Sequence, residues 1–291
     1  MKDRLLWARI DADGRLTGEE TTAVVPWWSL TKTAVAACAL GLAAAGRLDL
    51  DAPLPGRPHS LRRLLRHGAG LPDYGGLPAY RSAVARNDDP WPSAELLART
   101  ESLPTPADWT YSNVGFLLAR LELERTQSAP LADLLAAWVL RPLGLTAPRL
   151  AATRAEMAGA DLPSPGYHPG WVYHGCLLGP VADAAAMLRG ILAGPLLAPG
   201  DRTAMAEATE VGGAIPGRPW LRSGYGLGLM VGEMQGRTGP VAALGHSAGG
   251  PGSGGAAFHF PTLPGAPVVA AFGPGGVTAA CEWRTVALAG A

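Results

Sequence analysis

The stretch Trp28-Ser29-Leu30-Thr31-Lys32-Thr33 opens a run of apolar residues that reaches Ala45 and meets Gly46. This pattern predicts a helix over residues 29–45, with Gly46 as its stop because glycine accepts the left-handed conformation that ends helices. The apolar part is too short to span a bilayer and reads as a core helix. A serine and a lysine three positions apart lie on one helix face, a turn from each other. The helix N-terminus adds unpaired N–H groups and a favourable field beside the serine. Serine is a poor nucleophile until a neighbouring base takes its proton, and a lysine with a lowered pKa can do so. Alone, the same four residues also fit a serine cap followed by a solvated lysine.

Working outward, Leu5 to Ile10 is apolar and extended, Asp11-Ala12-Asp13-Gly14 is turn chemistry, and residues 21–25 are rich in β-branched side chains. Short helical stretches between Pro/Gly loops dominate residues 51–210, at 60–66, 93–101, 114–124, 131–139 and 181–192. Past residue 220 the texture changes. Segments 225–233, 241–244, 255–260 and 267–272 read as strands, and 277–288 as a closing helix. Strands at both ends with helices between them predict an α/β fold. Its antiparallel sheet would be formed from both chain ends (residues 1–50 and 211–291), flanked by helices, with an inserted all-helical region at 51–210.

The chain has 291 residues, with 24 basic and 24 acidic side chains and no formal net charge. A partner such as nucleic acid or an anionic membrane calls for a basic excess, which is absent. Only Lys2 and Lys32 are lysines among those 24 basic residues. Arginine keeps its proton in proteins whereas lysine can be tuned to release it, so the retention of Lys32 marks it as a site candidate. The three cysteines, Cys38, Cys176 and Cys281, are far apart and in no paired motif, which fits idle thiols in a reducing compartment. The N-terminus lacks the apolar core of a signal peptide, and the expected location is cytoplasmic. The six histidines and three cysteines show no metal-ligand spacing. Neither a metal nor a cofactor is expected.

Two further motifs carry chemistry. Tyr111-Ser112-Asn113 precedes a predicted helix; a tyrosine can act as a base if cations depress its pKa, and an amide can both donate and accept. Read blandly, it is a helix cap beside a core tyrosine. Gly245-His246-Ser247-Ala248-Gly249 matches the G-x-S-x-G of the α/β-hydrolase nucleophile elbow. That elbow needs a helix directly after the serine, and Pro251-Gly252-Ser253-Gly254 cannot open one. An acid followed by a histidine is also needed downstream, whereas His259 precedes Glu282.

Taken in order, Ser29-x-x-Lys32, Tyr111-Ser112-Asn113 and His246-Ser247-Ala248 resemble the class C β-lactamase-like serine hydrolases. That group includes DD-peptidases, D-amino-acid peptidases and family VIII esterases. Supporting phrases are Gly46-Arg47-Leu48-Asp49, Leu64-Leu65-Arg66-His67-Gly68-Ala69-Gly70-Leu71-Pro72, Arg141-Pro142-Leu143-Gly144-Leu145, Tyr225-Gly226-Leu227-Gly228 and Gly249-Gly250-Pro251-Gly252. The resemblance runs over about residues 20–275. It implies Ser29 as the acylated nucleophile, Lys32 as its proton-shuttling partner and Tyr111 as the base that activates the deacylating water. Asn113 would position the substrate, and the N–H groups of Ser29 and Gly249 would form the oxyanion hole.

His246-Ser247-Ala248 stands where the family commonly has Lys-Thr-Gly, which removes a permanent positive charge for a substrate carboxylate. This shifts the expectation from strong β-lactamase activity toward an esterase or peptidase acting on a small ester or amide. His246 and Ser247 remain expected substrate-binding residues, and Ala248 adds a methyl that could narrow the cleft. An N-terminal helix usual in the family is not evident before Ser29. The aromatic loop 167–175, with Trp171 and Tyr173, either lines the substrate pocket or pins itself to the helical region. His59, His67 and His259 read as structural, and Trp27 and Trp28 as core or cleft wall. A penicillin-binding or sensor module that acylates without turnover is the competing reading. The sequence leaves oligomeric state open.

Overall fold

The computed structural model describes residues 5–106 and 109–291; Lys2 lies outside them. The chain starts with a hairpin of β1 (Leu6–Ile10) and β2 (Leu16–Glu19), then β3 (Val24–Pro26), a tight turn at Trp28–Leu30 and helix α1 (Thr31–Ala44). Helices α2 (Leu61–Leu65), α3 (Pro78–Ala85), α4 (Ser93–Thr100), α5 (Asn113–Gln127) and α6 (Leu131–Leu135) follow. Next come β4 (Arg149–Leu150), α7 (Arg154–Ala158), β5 (Leu177–Pro180), α8 (Val181–Leu192) and α9 (Pro199–Ala206). The rest is β6 (Thr209–Gly212), β7 (Trp220–Tyr225), β8 (Met230–Gln235), β9 (Pro240–Gly250), β10 (Ser253–His259), β11 (Val268–Pro274) and α10 (Thr278–Ala289).

Eight strands form one antiparallel sheet in the order β2-β1-β11-β10-β9-β8-β7-β6. The expected union of the chain ends is present, with Leu6 opposite Phe272 and Ile10 opposite Val268. Successive side chains leave a strand on opposite faces. Accordingly Ala257, Val268, Ala270 and Phe272 join the core around α1 and α8, while Ala256, Phe258, Val269 and Ala271 pack with α10. Helix α1 is buried nearly all round, so its alanines pack on every side rather than forming one apolar stripe.

Several details differ from the sequence reading. The strand expected at 21–25 ends as β3, which pairs not with the large sheet but with β5, itself paired to β4. The inserted region is therefore mostly rather than wholly helical. β5 is a short, buried apolar run, which periodicity cannot separate from a helix segment. Helix α8 covers one face of the large sheet, against β1, β10 and β11. The strand expected at 225–233 is two, β7 and β8, with a turn through Gly228 at φ +61°. Gly228 also lets the turn approach α1, since a Cβ there would lie 2.6 Å from the Lys32 carbonyl oxygen.

All three cysteines are buried and free. Burial pushes each thiol up to about 12. No helix among the described residues is long and apolar enough to cross a membrane.

Candidate active site

Ser29 sits in the turn that starts α1, just after a backbone outlier. Trp28 has φ +42°, a conformation that bulky residues rarely adopt. Its surroundings hold it there. The Trp28 indole N–H donates to Ser253 Oγ at 2.9 Å, and its ring packs on Gly250, where a Cβ would fall 2.5 Å from Cε3. Trp27 is core, with its indole N–H donating to the Gly179 carbonyl, whereas Trp28 is cleft wall.

One turn on, the Lys32 amine is completely buried. Its Nζ lies 3.1 Å from Ser29 Oγ and donates to Asn113 Oδ1 at 2.7 Å. It is also 3.1 Å from Nε2 and 3.4 Å from Nδ1 of His174. Desolvation holds the ammonium well below the usual lysine range, partly opposed by the charge of Asp73.

Tyr111 and Asn113 reach this point from the start of α5. Ser112 caps the helix, accepting from the Gly115 N–H, and its hydroxyl donates to the Pro72 carbonyl at 2.7 Å. The Asn113 N–H donates to Asp73 Oδ1 at 2.9 Å, which leaves its amide side chain to face Lys32. The Tyr111 hydroxyl donates to Ser29 Oγ at 3.0 Å. Burial raises the Tyr111 phenol above its ordinary pKa, although the Ser29 hydrogen bond opposes this. At neutral pH Tyr111 is thus a protonated donor, not the ready phenolate that a depressed pKa would give. His67 packs behind it with ring centroids 4.2 Å apart and accepts from the Ser112 N–H.

β9 is longer than the sequence suggested and runs through Gly250, so the third motif lies within a strand. β8 pairs with it only as far as Gly245, leaving residues 246–250 unpaired on that side. Strand alternation then separates the motif side chains. His246 is buried, with Nδ1 2.6 Å from the Ser247 carbonyl and Nε2 2.8 Å from the Tyr225 hydroxyl. A carbonyl can only accept, so Nδ1 carries the proton and Nε2 accepts from Tyr225. Burial pushes the imidazolium pKa down to about 3, so the ring is neutral. Ser247 turns to the opposite face, where its hydroxyl donates to Glu282 and accepts from Arg218 at 3.1 Å.

The expectation that the His246 and Ser247 side chains touch substrate is therefore corrected: one is locked behind Tyr111, the other faces α10. The Ser247 N–H donates to Met230 Sδ, on the unpaired side, and alternation aims the Gly249 N–H to that side too.

The cleft over Ser29 is lined by Trp28, Tyr74, Tyr80, Tyr167, Trp171 and Val172, together with Asn113, His174 and residues 249–251, and has a volume of about 130 Å³. Trp171 lines it and also pins its loop, its indole N–H donating to the Asp88 carbonyl. Tyr173 does not line the cleft, because its hydroxyl is spent on the Trp91 carbonyl. His174 was read only as part of an aromatic loop, and its contact with Lys32 spans 142 positions of sequence. Among the described residues no three His, Cys, Asp or Glu side chains converge as a metal site requires.

The family model described as Beta-lactamase matches residues 13–288. The chain belongs to the beta-lactamase family. No curated protein matches it in sequence. Among solved structures it resembles a D-stereospecific amidohydrolase from Streptomyces sp., at 24% identity and TM-score 0.82, over 98% of this chain and 92% of that one. A D-amino acid amidase from Ochrobactrum anthropi SV3 matches at 18% identity and TM-score 0.74, over 92% and 85% of the two chains. An octameric penicillin-binding protein homologue from Pyrococcus abyssi matches at 19% and TM-score 0.75, over 98% and 73%. At these identities the likeness speaks for the fold. Family membership makes the chain a serine hydrolase.

Proposed function

We propose that this beta-lactamase-family hydrolase cleaves small amides that lack a free carboxylate, of the amino-acid amide type, through an acyl-enzyme on Ser29. The observation that carries this is the placement of Ser29 Oγ between a buried amine at 3.1 Å and a phenol at 3.0 Å. In the resting site the neutral Lys32 amine takes the hydroxyl proton as Oγ attacks the carbonyl carbon. The Oγ–C bond forms while the carbonyl electron pair moves onto oxygen, held by the N–H groups of Ser29 and Gly249. The C–N bond then breaks, and the leaving nitrogen takes its proton from Tyr111, which the Lys32 ammonium recharges. Water enters by the reverse proton route and releases the acid.

Asn113 Oδ1 anchors Lys32 and leaves its amide N–H groups for the substrate. With His246 neutral and enclosed, no cation among the described residues lining the cleft is placed to hold a substrate carboxylate, which favours amides over β-lactams. The names of the structural neighbours, a D-stereospecific amidohydrolase and a D-amino acid amidase, support the amide reading and suggest D-configured substrates.

The test is labelling with a fluorophosphonate and peptide mapping, together with turnover of D-phenylalanine amide, p-nitrophenyl acetate and nitrocefin. Ser29→Ala should abolish labelling and lower turnover by about 10⁴-fold or more, whereas Ser247→Ala should still be labelled. Label that follows Ser247 instead would overturn the assignment. A stable label without turnover of any of the three substrates would favour a sensor.

A further inference from the structure

His67 occupies a position where a side chain is costly, and no step above uses it. It follows Arg66, the cap of α2, and two bonds close the helix there: the His67 N–H donates to the Leu64 carbonyl at 3.0 Å and the Gly68 N–H to the Arg63 carbonyl at 2.8 Å. The His67 backbone is left-handed, at φ +55°. Glycine is the usual residue at this place in such a stop, because it has no Cβ to clash. The imidazole is also buried, and its Nε2 has no hydrogen-bond partner among the described residues. A strained backbone and an unsatisfied buried group both count against a side chain that only fills space.

The other ring nitrogen shows what the side chain does. Nδ1 accepts from the Ser112 N–H at 3.1 Å, and Ser112 stands between Tyr111 and Asn113, the two residues that reach Ser29 and Lys32. The ring packs on Tyr111, with centroids 4.2 Å apart, and has Tyr225 and Phe116 at 4.4 and 5.0 Å. Three more bonds dock the same segment on residues 66–73: the Trp109 indole on the Arg66 carbonyl, the Ser112 hydroxyl on the Pro72 carbonyl and the Asn113 N–H on Asp73. We propose that His67 is a positioning residue that holds the Tyr111 phenol at Ser29 Oγ for proton delivery to the leaving nitrogen. The inference rests on the acyl-enzyme reading. The bond fixes the backbone one residue from Tyr111, and the ring limits where the phenol can swing. A proton donor displaced by about 1 Å loses about 100-fold in rate. Burial disfavours the imidazolium, so Nδ1 keeps the lone pair that accepts. The step served is selective. An amide nitrogen must be protonated to leave, whereas fluoride leaves a fluorophosphonate as the anion, so labelling asks only for Ser29 and its Lys32 base.

The experiment compares His67→Phe, which keeps a ring without an acceptor, with His67→Asn, which accepts the left-handed backbone and carries Oδ1 in place of Nδ1. Time-resolved fluorophosphonate labelling reads the attack by Ser29, and kcat and KM for the best amide substrate read the whole reaction. In the Phe variant the amide kcat should fall about 100-fold, with KM within about threefold and the labelling rate within about fivefold of the unaltered protein. Asn should recover at least about tenfold of the lost kcat. Should the Phe variant fail to fold, His67→Gly, which suits the helix stop, replaces it with the same expectations.

An unchanged amide kcat in the folded Phe or Gly variant would overturn the proposal. So would labelling that falls as far as amide turnover, a loss confined to KM, or an Asn variant no better than Phe. Failure of the underlying reading is separate: the unaltered protein would then carry no label on Ser29.

Discussion

Lys32 and three histidines share one condition: each is an ordinarily basic group whose charged form burial disfavours. Desolvation lowers Lys32, His67, His174 and His246, the last to about 3. In the unfolded chain each histidine would titrate near pH 6.5. The folded form thus binds fewer protons, so the stability linked to these rings is fully present above that pH and drains away as pH falls from 6.5 toward the folded values. Each ring costs up to about 1.4 kcal/mol per pH unit over that window. Urea unfolding at pH 7, 6 and 5 should show a progressive fall, and a flat profile would contradict the neutral assignment. At this scale Ser29 and Lys32 were legible because their geometry is local, three residues on one helix. His174 was not, since its partner lies across the fold. Ser247 was misplaced because the strand was read as ending before it, which hid the alternation that turns its side chain away.

The strand carrying the third motif is held from behind by α10. Glu282, wholly buried, accepts two bonds from Arg218, one from the Trp220 indole and one from Ser247. Replacing it with leucine strands the guanidinium, and Glu282→Leu should lose about 3–5 kcal/mol in urea unfolding. A loss below about 1 kcal/mol would mean that Arg218 finds water instead. Glu282 drew attention in the sequence only as the acid that an α/β-hydrolase triad would need. Strand existence was readable from alternation and turn residues. The division of 225–233 into β7 and β8 was not, because Gly226-Leu227-Gly228-Leu229 lacks the polar signature of a hairpin turn.

Across the molecule, the N-terminal strand and the last strand pair with each other near one edge of the sheet, with only β2 outside them, so that edge forms only when both chain ends are in place. Such non-local pairing couples the site to the sheet. Tryptophan fluorescence and Ser29 labelling should therefore be lost together in one urea transition; an earlier loss of labelling would show the helical part opening alone. This union of the ends was visible in the sequence from strand-like segments flanking a helical middle. The separate small sheet of β3, β4 and β5 was not, as its strands are two to four residues long. The neutral His246 has one last consequence. The rings and glycines that line the cleft bear no charge at neutral pH. Mirror-image molecules carry identical charges and differ only in where their bulk falls. A cleft that sorts guests by contour, with no cation among its described lining residues to anchor either hand, is left to read chirality through fit, and salt should alter its choice of enantiomer little.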